Sequence, residues 1–396
     1  MRTLFVIVVV DLIGFGLIIP LLPFFGEHFD ASPAAIGLLM ASYSLGQFIA
    51  APFWGRMSDR VGRRPVLIWS LTGLSLTYLI LAFSTTLWML FAARTLAGLM
   101  AGNIATAFAY VADITKPENR AKGMGLIGAA FGLGFIAGPA LGGVLAGPDP
   151  HQADFQSPSL LAAGLSISAC LLTVLFLPES LPDHARQQNT GLGWIERWQA
   201  LGTAFATPSV GHILGISFLA TFVFAGMEAT FALWSRRHFE WGPEQNGYVF
   251  AFIGIISALI QGGLLGRLAR RFGEHNLVTA GAAALCIGML LIPFATTVRD
   301  LLLIMVVVGT GFSLISPSLT SLLSLHTDVG MQGGMMGVSR SAVTLARVLG
   351  PACAGAVFYS LGKDWPFIVG SLVMAGVFIF SFYSRPYLCP QMQKRR

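Results

Sequence analysis

Long apolar stretches follow one another along the whole chain and are separated by short polar segments. An α-helix needs about 20 apolar residues to cross the hydrocarbon core of a bilayer, where no water can satisfy backbone N–H and C=O groups. A membrane β-barrel would instead show alternating segments of about ten residues. The pattern predicts an all-α membrane protein with twelve transmembrane helices, at residues 4–25, 34–54, 65–85, 88–112, 121–146, 158–177, 209–233, 246–265, 276–296, 300–325, 333–360 and 365–383.

Composition agrees with this pattern. The chain is 55% hydrophobic and 11% charged, whereas soluble domains contain about 25% charged residues. The first stretch contains Asp11 and Pro20 and leads into eleven more. We therefore predict that it is a membrane helix rather than a cleaved signal peptide.

The longest polar segment divides the chain into two halves that resemble each other. We predict an N-terminal six-helix bundle at residues 1–177, a cytoplasmic central loop at 178–208, and a C-terminal six-helix bundle with a short cytoplasmic tail at 209–396. The glycine- and arginine-rich loop 55–63 recurs at 266–274, and Gly138-Pro139 recurs as Gly350-Pro351 at nearly the same offset. Such duplicated halves are typical of transporters that rock around a site near the bilayer midplane.

The basic residues predict how the chain lies in the membrane. Arginine and lysine concentrate in the termini and in the loops on the same side as the termini, while the other side holds few, such as Arg299 and Lys363. Cytoplasmic loops carry this excess, so both termini are predicted to be cytoplasmic in a multi-pass protein of the cell inner membrane. The net charge of +6 therefore reports topology and predicts no nucleic-acid partner. None of the four cysteines has metal-ligand spacing, and we predict no metal site and no cofactor.

The loop between stretches 2 and 3 carries a family signature. Its pattern is Gly55-x-x-x-Asp59-Arg60-x-Gly62-Arg63-Arg64, and it resembles the signature loop of the major facilitator superfamily. The resemblance implies a gating role, in which Asp59 meets the N-terminal end of helix 11 and Arg60 pairs with Asp113 at the inner end of helix 4. The alternative is a basic loop that only sets orientation.

Stretch 5 carries a second pattern of glycines. It reads Gly125-x8-Gly134-x3-Gly138-Pro139-x2-Gly142-Gly143. Three of these glycines recur every fourth residue and so line one helix face that allows close helix approach. The pattern resembles the antiporter motif of the twelve-helix drug:proton antiporter branch of the superfamily. Ordinary glycine-mediated packing is the alternative.

Within that branch the chain is most similar in pattern to the tetracycline efflux proteins, most densely over residues 9–143. The shared segments include PFWGRMSDRVGRRPVL and GAAFGLGFIAGPALGG. Three positions depart from that family, which carries an acid in helix 3 where this chain has Thr77, a histidine near Ser257 and an acid near Leu285. Because those groups serve drug–metal recognition and proton transfer there, their absence argues against tetracycline as the substrate.

Ionisable residues inside predicted membrane helices are further candidates, because each costs about 2.5–3.5 kcal/mol on insertion scales. They are Asp11, Arg94, Glu228, Arg340 and Arg347. Arginine does not deprotonate in proteins, so we predict Asp11 and Glu228 as the proton-coupling sites, with Arg94 and Arg347 as their counter-charges. Glu228 is predicted to lie about 8 Å from the outer end of its helix. Each acid has the alternative role of a static buried ion pair, and Arg340 has that of snorkelling to the interface.

Polar residues in the helices that line the cavity in this family suggest a substrate site. Gln47 matches a substrate-site glutamine of the tetracycline exporters, and Asn103 and Gln261 offer further hydrogen bonds. Hydrogen bonds between helices are the alternative role for each. The scarcity of charge there favours an uncharged or weakly charged substrate.

These features predict a secondary active transporter that exports a small lipophilic or amphiphilic compound, drugs included, in exchange for protons by alternating access. Its expected partners are the small-molecule substrate, protons and the lipid bilayer, and it is expected to function as a monomer. The alternatives are proton-coupled export or uptake of a metabolite, siderophore or lipid, and a non-transporting membrane receptor. No phosphate-binding loop, metal cluster or nucleophile–base pair is recognisable, so we predict no catalytic residues and no enzymatic activity.

Overall fold

The computed structural model describes residues 1–115, 117–181, 208–327 and 332–383, and within them the chain forms helices and no strand. Twelve helical spans in these residues are long and apolar enough to cross a membrane. The prediction of an all-α membrane protein with twelve transmembrane helices is therefore confirmed.

The helices are numbered here in chain order, and several of them combine into one span. They are α1 (Arg2–Ile18), α2 (Leu22–His28), α3 (Pro33–Val61), α4 (Arg63–Ala82), α5 (Leu87–Met100), α6 (Asn103–Ile114), α7 (Pro117–Ala146), α8 (Gln156–Phe176), α9 (Pro208–Phe239), α10 (Pro243–Leu259), α11 (Leu265–Phe272), α12 (Glu274–Leu291), α13 (Val298–Leu325), α14 (Gln332–Leu361) and α15 (Trp365–Tyr383).

Contacts between Cα atoms divide the chain into two compact units. The first unit is Met1–Gly193 with Ala232–Gly254, and the second is Trp194–Phe231 with Ile255–Arg396. The last turns of α9 and most of α10 therefore group with the first unit. Most of the predicted central loop 178–208 lies outside the described residues.

Three of the predicted continuous stretches contain a break in the α-helix. The first span is split between α1 and α2, the fourth between α5 and α6, and the eighth by a π-helical turn at Ile260–Leu264 between α10 and α11. Hydropathy averaged over a whole span does not detect such breaks, because each break lies inside a span that stays apolar on average. A broken helix is tolerated in a membrane only where other groups satisfy the freed backbone atoms.

Several helices run beyond the apolar stretches that predicted them. The second stretch was predicted to end at residue 54, whereas α3 continues through the signature loop to Val61. The seventh was predicted to end at residue 233, but α9 continues to Phe239 and carries Arg236 and Arg237 in its last turn. The predicted depth of Glu228 was therefore wrong, since it lies eleven residues, about 16 Å, from the end of its helix. Polar residues end the apolar pattern without ending the backbone hydrogen bonding of a helix.

Close glycine contacts join the first and fifth spans in the first unit. A Cβ atom added to Gly138 on α7 would lie 2.6 Å from the Cα atom of Gly16 on α1. The second unit has a similar contact, in which the backbone of Gly350 on α14 meets that of Phe222 and Gly226 on α9. The two units thus use the same kind of glycine contact between corresponding spans, as expected of duplicated halves.

Candidate transport site

The first buried carboxyl group, that of Asp11, is held by a neutral partner. Asp11 lies in the middle part of α1 and is 5% exposed, and the side-chain amide of Asn103 donates a hydrogen bond to its Oδ2. Asn103, predicted as a substrate residue, is itself 6% exposed and is the first residue of α6. The structure therefore brings a predicted substrate residue and a predicted proton site together. An amide can hold the carboxyl group in either protonation state, because it offers both a donor and an acceptor.

The break between α5 and α6 places Asn103 beside Asp11. The backbone N–H groups of Gly102 and Asn103 donate to the hydroxyl oxygen of Ser70, at 3.1 and 3.0 Å. The indole N–H of Trp54 donates to the carbonyl of Leu99 at 2.6 Å. A side chain at position 102 would collide with the Trp54 ring, at 2.6 Å. Side chains of α3 and α4 thus satisfy the backbone groups that the break exposes, and the positive end of the α6 dipole lies next to a carboxyl group.

Arg94, one of the two predicted counter-charges, forms no ion pair with Asp11. Among the described residues no carboxylate oxygen lies within 4 Å of the Arg94 guanidinium, although the residue is only 3% exposed. Its Nε and Nη1 atoms have no hydrogen-bond partner there. The guanidinium carbon lies 4.5 Å from the centroid of the Tyr43 ring. Asn103 is thus the partner of Asp11, and an aromatic ring supports Arg94. The role of Arg94 as a tuning counter-charge stays a prediction.

The second buried carboxyl group, that of Glu228, does have an arginine partner. Glu228 on α9 is 7% exposed, and its Oε2 lies 3.6 Å from Nη1 of Arg347 near the middle of α14. This distance is too long for a hydrogen bond, and the arginine side chain is one-third exposed. The loose geometry suits a pair that separates easily.

The remaining predicted substrate residues do not join these groups in any described contact. Gln47 on α3 is half-buried, and Gln261 is exposed in the π-helical turn. Thr77 is buried and bonded to its own helix at the carbonyl of Leu74, at 2.7 Å. Leu285 is completely buried, and Ser257 receives a hydrogen bond from Ser313 at 2.8 Å. The positions that depart from the tetracycline exporters are thus occupied by helix-packing groups.

The signature loop forms a compact ion cluster around Arg63. The Arg63 Nε donates to Asp113 at 2.9 Å, and its Nη1 donates to Asp59 at 2.6 Å and to Ser58 at 3.0 Å. Arg63 is 6% exposed, whereas Arg60 is exposed. The predicted pairing of Arg60 with Asp113 is therefore wrong, and Arg63 makes that pair. Asp59 was predicted to meet the inner end of the eleventh membrane span, which is α14. This end adjoins residues 328–331, which lie outside the described residues.

Sequence reasoning missed Glu179, which ties the signature loop to the end of the sixth span. Its two carboxylate oxygens accept the backbone N–H groups of Arg63 and Arg64, at 2.9 and 3.0 Å, at the start of α4. It also accepts the N–H groups of Ser180 and Leu181. Burial alone would raise the pKa of Glu179, but these four donors outweigh burial and lower the pKa below its ordinary value. A lone acid directly after an apolar stretch was the available signal.

Gly62 makes this arrangement possible. Its φ of +115° is one that side-chain-bearing residues rarely adopt. A Cβ atom at this position would also collide with the Glu179 carboxylate. Glycine at this position thus has two local reasons in this chain, the turn and the approach of the carboxylate.

The glycines of the antiporter motif on α7 serve two neighbouring helices. Gly134, Gly138 and Gly142 face α1, where added Cβ atoms would meet Leu12, Gly16 and Leu17. Gly143 faces α10, where a Cβ atom would lie 2.8 Å from the carbonyl oxygen of Pro243. Gly125 has no atom within 4 Å of an added Cβ. The motif therefore lets α7 lie tightly between the first and eighth spans. The spacing of the glycines predicted close packing on one helix face only and did not predict the contact of Gly143 with α10.

An ion pair joins α9 to α2 at the end of the first unit that lies opposite to the signature loop. Nη1 of Arg236, in the last turn of α9, lies 2.5 Å from Oε2 of Glu27 in α2. Beside it, the backbone N–H of Glu244 donates to the carbonyl of Gly147 at 3.3 Å. We call this group of contacts the opposite-end clasp. It holds residues 232–254 against the N-terminal helices within the first unit.

The family follows from a comparison of the whole chain with known proteins. The family model described as Major Facilitator Superfamily matches residues 4–351 and, in a second match, 263–394. The chain belongs to the Major Facilitator Superfamily. The resemblance seen in its loop and glycine motifs is thereby confirmed, and so is the prediction that the chain is a transporter rather than an enzyme, as members of this superfamily are.

Relatives within the superfamily include efflux proteins. The class C tetracycline resistance protein of Escherichia coli is 33% identical over 361 residues, which cover 90% of this chain and 89% of that protein. Multidrug resistance protein 2 of Bacillus subtilis (strain 168) is 31% identical and covers 94% of this chain and 93% of its own length. Among solved structures, the human organic anion transporter MFSD10 (TETRAN) is 28% identical, with a TM-score of 0.74 over 96% of this chain and 98% of that one. This superfamily member is therefore similar to tetracycline and multidrug efflux proteins over nearly its whole length.

Proposed function

We propose that the protein exports a small lipophilic or amphiphilic compound in exchange for protons by alternating access. It would do so as a monomer in the cell inner membrane, with both termini in the cytoplasm, and the two six-helix halves would rock about the substrate. The names of its relatives point to tetracycline, to multiple drugs and to organic anions. These relatives support efflux but do not agree on one cargo.

The observation that carries the proposal is one buried carboxyl group in each compact unit. Asp11 is held by the neutral amide of Asn103, and Glu228 faces Arg347 across 3.6 Å. Buried carboxyl groups in a membrane are functional candidates, because a purely structural role would favour apolar packing. Each can bind a proton without unbalancing a tight salt bridge, so each is suited to load and release protons.

The mechanism follows from these two environments. A proton on Asp11 or Glu228 neutralises the group and allows it to move into an apolar setting, whereas the charged form favours contact with water or with Arg347. Opening the protein to one side therefore changes the proton affinity of the group. Gln47 and Gln261 remain the proposed polar contacts for the substrate. The opposite-end clasp would hold one end closed, and the Arg63 cluster would fix the signature loop at the other end.

The test is proton movement by purified protein in liposomes with an imposed pH gradient. A panel of lipophilic cations, antibiotics and aromatic acids is added, and compound and proton fluxes are followed together. Proton flux opposite to compound flux supports antiport, and flux in the same direction would establish symport instead. Asp11→Asn and Glu228→Gln should abolish the coupled flux and leave insertion intact.

Two exposed acids provide matched controls. Asp30 and Glu240 are exposed and have positive φ angles of 54° and 58°, so Asp30→Asn and Glu240→Gln remove the same charges outside the buried sites. Both controls should transport like the unmodified protein. Normal coupled flux in both Asp11→Asn and Glu228→Gln would refute the assignment of the proton sites.

A further inference from the structure

Among the residues that the structure describes, the buried guanidinium of Arg94 meets no carboxylate counter-ion. The nearest membrane acid in the first unit is Asp11, which Asn103 holds. Two of the three Arg94 side-chain nitrogens are shielded from solvent and have no hydrogen-bond partner among the described residues. A buried unpaired arginine is strongly unfavourable, since desolvation of a charge is repaid only by a partner of opposite charge. Because this group is unfavourable for stability, we expect it to have a role in transport.

One aromatic ring stacks on this cation, and a row of further rings continues from it. Its carbon atom lies 4.5 Å above the Tyr43 ring on α3. The Tyr43 ring is 5.1 Å from that of Phe15 on α1, which in turn is 6.3 Å from that of Phe135 on α7. Tyr78 on α4 is 2% exposed and lies within electrostatic range of both Arg94 and Tyr43. A cation bordered by aromatic faces suits a ligand that has a flat apolar body and one anionic group.

Part of α9 belongs to the buried cluster beside Arg94. Ala232 lies in the same cluster as Leu90 and Ala93, which precede Arg94 on α5, and Tyr43 packs against that cluster. Residues 232–254 are the segment that the opposite-end clasp holds in place. Arg94 is 3% exposed while the clasp is closed, and release of this segment would loosen the packing beside it.

We propose that Arg94 binds the anionic group of the substrate, so that the cargo is an amphiphilic aromatic carboxylate or a similar organic anion. This inference rests on the proposed transport function and names its substrate class. It narrows the expectation of an uncharged or weakly charged substrate to one that carries a single anionic group. That expectation came from the small number of charges and not from their pairing. Export of an anion against entry of a proton moves positive charge inward in both steps, so an inside-negative membrane potential would accelerate it.

The experiment is equilibrium binding of tritiated 1-naphthylacetate to the full-length protein in nanodiscs, with its uncharged amide, 1-naphthylacetamide, as the matched ligand. The unmodified protein should bind the acid at least about 10-fold more tightly than the amide, as expected for a charge-assisted pair. Arg94→Gln should weaken acid binding by at least about 10-fold and leave amide binding unchanged. Arg94→Lys should retain part of the preference, since a point charge replaces the planar fork.

Arg340→Gln is the control, because it removes an exposed arginine from another membrane span, and it should preserve the preference for the acid. Equal binding of acid and amide by the unmodified protein, including undetectable binding of both, would overturn the inference without any variant. Unchanged acid affinity in Arg94→Gln would also overturn it. Because binding is measured without a proton gradient, a preference for the acid in a protein that moves no protons would refute the proposed coupling and leave this site standing.

Discussion

Arg63 and Arg60 lie three positions apart in the signature loop but have different surroundings. Arg63 is nearly buried and contacts two carboxylates, while Arg60 is exposed. Removing one partner from a buried ion pair leaves an uncompensated charge, whereas a surface charge contributes little. The two arginines of one motif therefore form a natural matched pair for mutation.

We expect Arg63→Gln to lower the stability of the purified protein by about 1–3 kcal/mol, because Asp59 and Asp113 would face each other without a cation. Arg60→Gln should change stability by less than about 0.5 kcal/mol. Thermal unfolding in detergent measures both, and the transport rate should follow the same order. Equal effects of the two variants would contradict the assignment of Arg63 as the centre of the cluster.

Glu179 should make the same region sensitive to acid. Its pKa in the folded protein lies below the ordinary value of 4.5 because four backbone N–H groups hold the charged form. Its contribution to stability is therefore fully present above that value and is lost as the pH falls through the lower folded pKa. The unfolding temperature of the unmodified protein should thus fall more steeply below pH 4.5 than that of Glu179→Gln. Parallel curves for the two proteins would show that the carboxylate does not stabilise the start of α4.

At the scale of elements, the fifth span offers a graded series of glycines. An added methyl group at Gly138 would meet the backbone of α1 at 2.6 Å, one at Gly143 would meet that of α10 at 2.8 Å, and one at Gly132 would meet nothing within 4 Å. Since backbone cannot move as a side-chain tip can, the two crowded positions require the helices to separate. The series distinguishes packing from helix propensity, because all three changes are Gly→Ala.

Gly138→Ala should destabilise the protein by about 1–3 kcal/mol, as overpacking does. Gly132→Ala should be neutral or slightly stabilising, because alanine favours a helix over glycine by up to about 1 kcal/mol. Gly143→Ala should impair transport more than stability, since it disturbs contact with the segment that the clasp holds. Unfolding temperature and proton-coupled flux of each variant are the measurements. A uniform effect across the three positions would rule out the two-faced role of the motif.

At the scale of the whole molecule, residues 232–254 connect to the first unit although they follow the predicted central loop. The Glu27–Arg236 ion pair is the charged part of that connection, with side chains 15% and 24% exposed. Alternating access requires such contacts to break and re-form in each cycle. Their strength must therefore be modest, as partly exposed pairs are.

Loss of this pair should shift the protein toward the state in which the clasp is open. Glu27→Gln should raise the labelling rate of a cysteine placed at the buried position Ala232 about 5-fold in a cysteine-free background, which corresponds to about 1 kcal/mol. The charge swap Glu27→Arg with Arg236→Glu should restore slow labelling. A swap that labels as fast as the single variant would show that the ion pair does not hold the clasp.

The sequence alone determined the twelve spans, the family and the residues able to carry charge in the membrane. Hydropathy over some 20 residues and short motifs are local properties, and a chain in lipid has few other ways to satisfy its backbone. Only the tertiary structure decided that Arg63 rather than Arg60 meets Asp113, that Asn103 holds Asp11 while Arg94 meets no carboxylate among the described residues, and that Glu179 caps α4. Each of these pairings joins different helices, so it depends on where the helices break and on their rotation and register. The sequence cannot distinguish Arg60 from Arg63, because they are the same residue type in one short segment and only the neighbouring helices decide which of them is buried.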